Sequence, residues 1–255
     1  MNDAELVARE VEIPRTGVTV HDVTFDEAVE LIVRWAREGS GGYVSTPNVD
    51  HLVRAHREPA FQALVKAARL RLPDGMGLIY GMRLRGRRLI GAVHGRLLPE
   101  AIVRATAGDS PAIAMIGGRD DAPERATERL RSLGGNVVAA VNPPMGFEIG
   151  GPADQEATRA LVAADPRVLI VGFGAPKQER WMARHAAEFP HTVMLGLGQT
   201  IDVLGGRVPT APAWMTRVGL EWAFRMLRDP VRIGRRVFLD DPPFFLWMLR
   251  ARMRR

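Results

Sequence analysis

The chain has 255 residues, 46% of them hydrophobic, which is enough for a large core; it has no cysteine, which excludes disulfides and thiolate metal sites. The net charge of +6 is uneven: residues 207–255 hold 11 arginines against four acids (Glu221, Asp229, Asp240, Asp241), so the part before them is close to neutral. A basic tail of this kind points to an anionic partner, whether phosphate, nucleic acid or an acidic membrane surface.

In chain order, Val18–Val20 reads as a short strand before a helix over Thr24–Glu38, whose first turn carries Asp26 and Glu27. Tyr43-Val44-Ser45 reads as a strand ending in the Thr46-Pro47-Asn48 turn. A helix-like segment, Val49–Leu70, then leads to Pro73-Asp74-Gly75-Met76-Gly77. Further strands are predicted at Pro111–Ile116, Asn136–Val141, Val168–Val171 and Thr192–Leu195, with helices over 122–133 and 176–188. Glycine turns follow three of these strands: Gly117-Gly118, Gly172-Phe173-Gly174 and Gly196-Leu197-Gly198. Such an order predicts an α/β fold, a mostly parallel Rossmann-like sheet with helices on both faces and ligands at the carboxyl ends of its strands. Around Gly205-Gly206 the composition changes to proline and arginine. The expected division is an α/β catalytic domain over 1–205 and an arginine-rich appendage over 206–255.

Two turns carry the candidate chemistry. Thr46, Asn48 and Asp74 are separated by one helical segment, so they fall at the same end of a sheet, where a carboxylate facing a hydroxyl and an amide suits a general base. In Gly172-Phe173-Gly174-Ala175-Pro176-Lys177-Gln178-Glu179, the glycines let backbone approach a ligand and Pro176 suits the first helical position. Lys177 and the open amides of that helix start favour an anion such as a diphosphate, and Gln178 is placed to read a base or a sugar. A Gly-x-Gly turn alone is weak evidence, and neither the dinucleotide fingerprint nor the P-loop motif is present. No Asp-x-Asp motif is present to hold a metal; Asp120-Asp121 and Asp240-Asp241 read as solvated or capping pairs.

Taken together, Thr46-Pro47-Asn48, Glu58-Pro59-Ala60-Phe61, Pro73-Asp74-Gly75-x-Gly77, Pro144-x-Gly146 and Gly174-x-Pro176-Lys177-Gln178-Glu179 resemble the WecG/TagA/CpsF glycosyltransferases. Asp202, Ala211-Pro212-x-Trp214, Gly219-Leu220-Glu221-Trp222, Arg225, Pro230, Arg232 and Arg235-Arg236 continue the resemblance, which spans about residues 14 to 240. It implies an inverting transfer of a sugar, often N-acetylmannosamine or its uronic acid, from UDP to an undecaprenyl-diphosphate-linked N-acetylglucosamine in cell-surface polysaccharide assembly. By position it implies Asp74 as base, Thr46 and Asn48 in the active site, and Gln178 on the donor. Arg225, Arg232 and Arg235 fall on the diphosphate of donor or lipid. Metal independence and self-association are also expected.

The chain departs from that pattern where an Arg-Val-x-Gly-x-Asp run is usual. Here Ala92-Val93-His94-Gly95-Arg96-Leu97 replaces the arginine by Ala92 and the aspartate by Leu97, which leaves open a relative with altered or lost catalysis. In the tail, Phe244-Phe245-Leu246-Trp247-Met248-Leu249 flanked by arginines suits a segment lying in a membrane interface. The first twelve residues do not read as a secretory signal, and no stretch has the roughly 18 apolar residues of a spanning helix. The expected location is cytoplasmic and peripheral, on the inner face of the cell membrane. A nucleic-acid-binding role for the tail is the other class; no helix-turn-helix or RNA-binding signature supports it.

Overall fold

Two short strands, β1 (Glu10–Ile13) and β2 (Val18–His21), pair as an antiparallel hairpin, and six more make the central sheet. These are β3 (Gly42–Ser45), β4 (Leu70–Arg71), β5 (Ile113–Gly117), β6 (Val137–Val141), β7 (Val168–Gly172) and β8 (Val193–Gly196), in the spatial order β4-β3-β8-β7-β5-β6 and parallel throughout. The computed structural model describes residues 1–212, 215 and 221–253, without the side chains of Glu221, Trp222, Arg225, Arg232, Ile233 and Arg236.

Alternation along the strands builds two cores. Ile113 and Met115, Val168 and Ile170, Val193 and Leu195 point to one face, under α2 (Phe25–Glu38), α6 (Leu98–Ala105) and α7 (Ala122–Ser132). Their neighbours Ala114 and Ile116, Leu169 and Val171, and Met194 point to the other, under α8 (Pro152–Ala163) and α9 (Lys177–His185). Both faces are covered, which is why these strands read as unbroken apolar runs. The expected α/β sheet is therefore present. The α2 start also agrees: Thr24 caps it, and Glu27 returns the bond to the Thr24 amide.

Two sequence expectations are corrected. The segment Val49–Leu70 is not one helix but α3 (Val49–Arg57), α4 (Pro59–Ala67) and then β4. Pro59 cannot continue α3, and Glu58 before it takes an extended conformation (φ −123°, ψ 94°). Val18–Val20 does not join the parallel sheet; it pairs with β1, and Arg71 fastens that hairpin to β4. The Arg71 guanidinium donates to Glu10, to the Thr19 carbonyl (2.9 Å) and to the Ala68 carbonyl (2.6 Å), while its amide donates to His21 Nδ1 (3.0 Å).

The C-terminal helix α13 (Pro242–Met253) docks on α3 and on α5 (Met76–Leu84). Phe244, Trp247 and Met248 are buried in a third core with Leu52, Leu78 and Met82, and the Trp247 ring packs tilted against His56 with centroids 4.4 Å apart. Leu246, Leu249 and Met253 remain exposed beside Arg250 and Arg252. Among the described residues, no helix is long and apolar enough to cross a membrane.

Two predictions follow from this packing. Burial and the Arg71 charge push the His21 imidazole down to about 4, against the opposing pull of Glu10. The unfolded chain binds a proton that folded His21 refuses, so this stability is complete above about pH 6.5 and lost as pH falls toward 4. Urea unfolding should show about 2 kcal/mol less stability at pH 5 than at pH 7. His21→Asn, which keeps an acceptor for the Arg71 amide, should remove most of that difference. Separately, a Cβ at Gly81 would lie 2.2 Å from the Phe244 ring. Gly81→Ala gains about 1 kcal/mol of helix propensity, but displacing a buried phenylalanine costs about 3 kcal/mol or more. Trypsin should therefore release the last helix sooner from Gly81→Ala, and Phe244→Leu in the same chain should partly restore resistance.

Candidate active site

The strand order opens a crevice between β3 and β8. After β3 the chain moves outward to β4, whereas after β8 it turns the other way into α10 (Thr200–Leu204), which packs on α7 and β7. Neighbouring connections that diverge in this way leave a cleft above the strand ends. Three nine-residue helices, α3, α5 and α9, begin beside it, directly after the turns that follow β3, β4 and β7. Their N-terminal amides give that end of the sheet a positive potential.

Thr46 and Asp74 are brought together as the sequence predicts. The Asp74 amide donates to the Pro47 carbonyl at 3.0 Å, tying the turn after β4 to the turn after β3. The Asp74 side chain is about one-third exposed, and its Oδ1 lies 3.8 Å from His94 Nδ1. Gly75 beside it has φ +81° with open space where a side chain would be, a conformation that glycine adopts without strain. The Thr46 hydroxyl is buried and donates to the Gly196 carbonyl at 3.2 Å, so it stitches β3 to β8. Asn48 caps α3: its Oδ1 accepts from the His51 amide (3.2 Å) and lies 2.9 Å from His51 Nδ1.

On the opposite wall, Gly174 has φ +73° and open space around it, and Gly172 lets β7 approach the turn after β8: a Cβ there would fall 2.8 Å from Ile201. Pro176 stands at the cap of α9, one position earlier than expected: the first helical residue is Lys177. Gln178 is buried, and its Oε1 accepts from both the Gly174 amide (3.1 Å) and the Gly198 amide (2.9 Å). One side chain thus joins the two glycine turns. Its Nε2 donates to Glu179 Oε1 at 2.9 Å.

Glu179 has no solvent exposure, and its Oε1 lies 3.4 Å from His51 Nε2. Burial acts to raise the Glu179 carboxyl, but hydrogen bonding and charge from His51, with help from Gln178, bring it below the usual range. A continuous polar line therefore runs under the cleft, from Asn48 through His51 and Glu179 to Gln178. Sequence reasoning missed His51 and Glu179. The available signals were the Asn48–His51 spacing, which suits a cap, and the adjacency of two polar residues, Gln178-Glu179, at the start of a helix.

Lys177 is engaged elsewhere. Its ammonium donates to the Phe147 carbonyl at 2.6 Å and sits 3.4 Å from the Phe147 ring centroid, and burial lowers its pKa against the opposing pull of Asp154. It pins the turn after β6 to α9. The fully buried Asp154 holds α9 from behind, accepting from Trp181 Nε1 at 2.6 Å and lying 3.0 Å from His185 Nε2. Asp202 accepts the Arg119 amide at 2.9 Å and so fixes the turn after β5. Arg235 is exposed at the end of α12 (Pro230–Arg235), which follows α11 (Glu221–Arg228). The side chains of Arg225 on α11 and Arg232 on α12 lie outside the described residues, as do Trp214, Gly219 and Leu220.

Comparison with known proteins bears on this cleft. The model of the Glycosyl transferase WecG/TagA/CpsF family matches residues 13–255. Two relatives are each an N-acetylglucosaminyldiphosphoundecaprenol N-acetyl-beta-D-mannosaminyltransferase. That of Bacillus subtilis (strain 168) is 28% identical over 211 residues, covering 82% of this chain and 80% of the relative. That of Bacillus spizizenii is 28% identical over 197 residues, covering 76% and 74%.

Gln178→Glu tests the clamp. It keeps the acceptor for the two amides but sets a second carboxylate against buried Glu179. One of the two must then hold its proton above the normal range, so the variant loses stability as pH rises through that range. Chemical unfolding should place it on the order of 2 kcal/mol or more below the parent at pH 8, with a smaller gap at pH 5.

Proposed function

Because the chain belongs to the WecG/TagA/CpsF family of glycosyl transferases, we propose that it moves N-acetylmannosamine or a related hexose from UDP to an undecaprenyl-diphosphate-linked N-acetylglucosamine or a similar lipid-linked sugar. The observation that carries the reading is the meeting of Asp74 with the turns after β3, β7 and β8 at one end of the sheet, beside three helix N-termini.

The Asp74 carboxylate takes the proton of the acceptor hydroxyl as that oxygen attacks C1 of the donor from the face opposite UDP. The new C1–O bond forms as the bond from C1 to the diphosphate oxygen breaks, and its electron pair leaves with UDP, inverting the anomeric centre. Negative charge grows on the diphosphate, where Arg225, Arg232, Arg235 and the amides of the helix ends stabilise it without a metal. Gln178 serves by holding the Gly174 and Gly198 turns in place beneath the donor, Lys177 by fixing the start of α9, and Asn48 through the α3 cap.

The exposed Leu227, Val231, Phe238 and Leu239, with the arginines around them, fit contact with an anionic inner leaflet, where a lipid-linked acceptor must be met.

The test is UDP release from a panel of UDP-sugars with a polyprenyl-diphosphate N-acetylglucosamine acceptor. One donor should give acceptor-dependent release that survives chelator and falls by about 100-fold or more in Asp74→Asn, with UDP binding kept. Near-normal turnover by Asp74→Asn would remove it as the base. UDP binding without transfer from any donor would favour a relative that lost catalysis through Ala92 and Leu97.

A further inference from the structure

His94 is a lone histidine in the segment between α5 and the turn Gly95–Leu97. That segment is held in place. The Val93 amide donates to the Pro73 carbonyl at 2.8 Å, so residues 92–94 run beside the strand end that carries Asp74. The Leu97 amide donates to the His94 carbonyl at 2.9 Å and closes a 3-10 turn over Gly95–Leu97. Gly95 is pressed against the site: a Cβ there would lie 3.1 Å from Thr46 Cγ2 and 3.2 Å from Leu197 Cδ2. His94 therefore stands at the cleft by construction, 3.8 Å from Asp74 Oδ1, with its side chain 23% exposed and that of Asp74 31% exposed.

We propose that His94 is a positioning residue for the transfer reaction: it forms a dyad with Asp74, orients that carboxylate toward the acceptor hydroxyl when neutral, and weakens it as a base when protonated. The inference rests on the transferase reading given above. At 3.8 Å the pair is just beyond a direct hydrogen bond, and contacts of this kind tighten when substrate binds. Neutral imidazole with its proton on Nδ1 steers the carboxylate without lowering its proton affinity much. Imidazolium at the same place is a cation beside an anion, so Asp74 accepts a proton less readily and the attacking oxygen loses its base.

Among the described residues, α6 and α10 pack against this turn, and their carboxylates are paired. Glu100 on α6 is held by Arg129 (2.9 Å) and Arg104 (3.3 Å), and Asp202 on α10 lies 3.5 Å from Arg119. The ends of β3 and β8 bring uncharged Thr46 and Leu197, and the segment itself carries Arg96.

Histidine changes charge between about pH 5 and 8. In the parent, kcat should fall about tenfold from pH 7.5 to pH 5.5 while the donor KM stays nearly constant. His94→Asn, which can donate from the same position but does not titrate, should run flat within about twofold over that range. His94→Ala should lose about tenfold or more at pH 7.5, and Asn should restore most of it.

A second readout does not depend on turnover. In the full chain with labelled histidine, the ring resonance missing from His94→Asn should move in Asp74→Asn at pH 7.5, while that of distant His191 stays in place. An unmoved resonance, or a parental pH profile in His94→Asn, overturns the dyad. A moved resonance with no transfer from any donor leaves the dyad standing and sinks the transferase reading instead.

Discussion

A buried carboxylate governs how this cleft is built. Glu179 lies at the start of α9 with no solvent exposure, and an ionised group there is costly unless it is paired and hydrogen-bonded. His51 and Gln178 both approach its Oε1, each fixed from a different direction, while Oε2 has no hydrogen-bond partner among the described residues. His51 reaches back to Asn48 at the head of α3, and Gln178 reaches forward to the amides of Gly174 and Gly198. Three connections that are far apart in sequence are thereby locked to one another beneath the surface a substrate would touch.

Backbone contacts do the same work above that layer. The Pro47 and Pro73 carbonyls accept from the Asp74 and Val93 amides, and the Thr46 hydroxyl bonds to the Gly196 carbonyl. Asp74 is thus carried on a turn tied on two sides, which limits its motion. Gly75 and Gly174 keep the space above open.

Packing also changes the meaning of the hydrophobic tail. The run from Phe244 to Leu249 looks uniform in sequence, yet α13 divides it: Phe244, Trp247 and Met248 complete a core, while Leu246 and Leu249 face outward. Helical geometry makes that division, since one face has to meet Gly81 and α3. Its outward residues add to the exposed apolar side chains of the preceding segment, Leu227, Val231, Phe238 and Leu239.

Much of the site was legible because motif and fold agree. Apolar runs ending in glycine turns are what a parallel sheet covered on both faces requires, and the Thr46-Pro47-Asn48 and Pro73-Asp74-Gly75 turns follow adjacent strands, so they had to meet. The hairpin was not legible, since β1 and β2 are short and polar residues interrupt them; Arg71, remote in sequence, decides where they attach. The break at Pro59 is hidden by the helical pattern on either side of it. The sequence by itself determined which residues could do chemistry, through their types and the turns that hold them. Only the tertiary structure decided their partners, because hydrogen bonds such as Gln178 to Gly198 and close approaches such as His94 to Asp74 depend on distances of a few ångströms between segments that the chain order leaves unrelated.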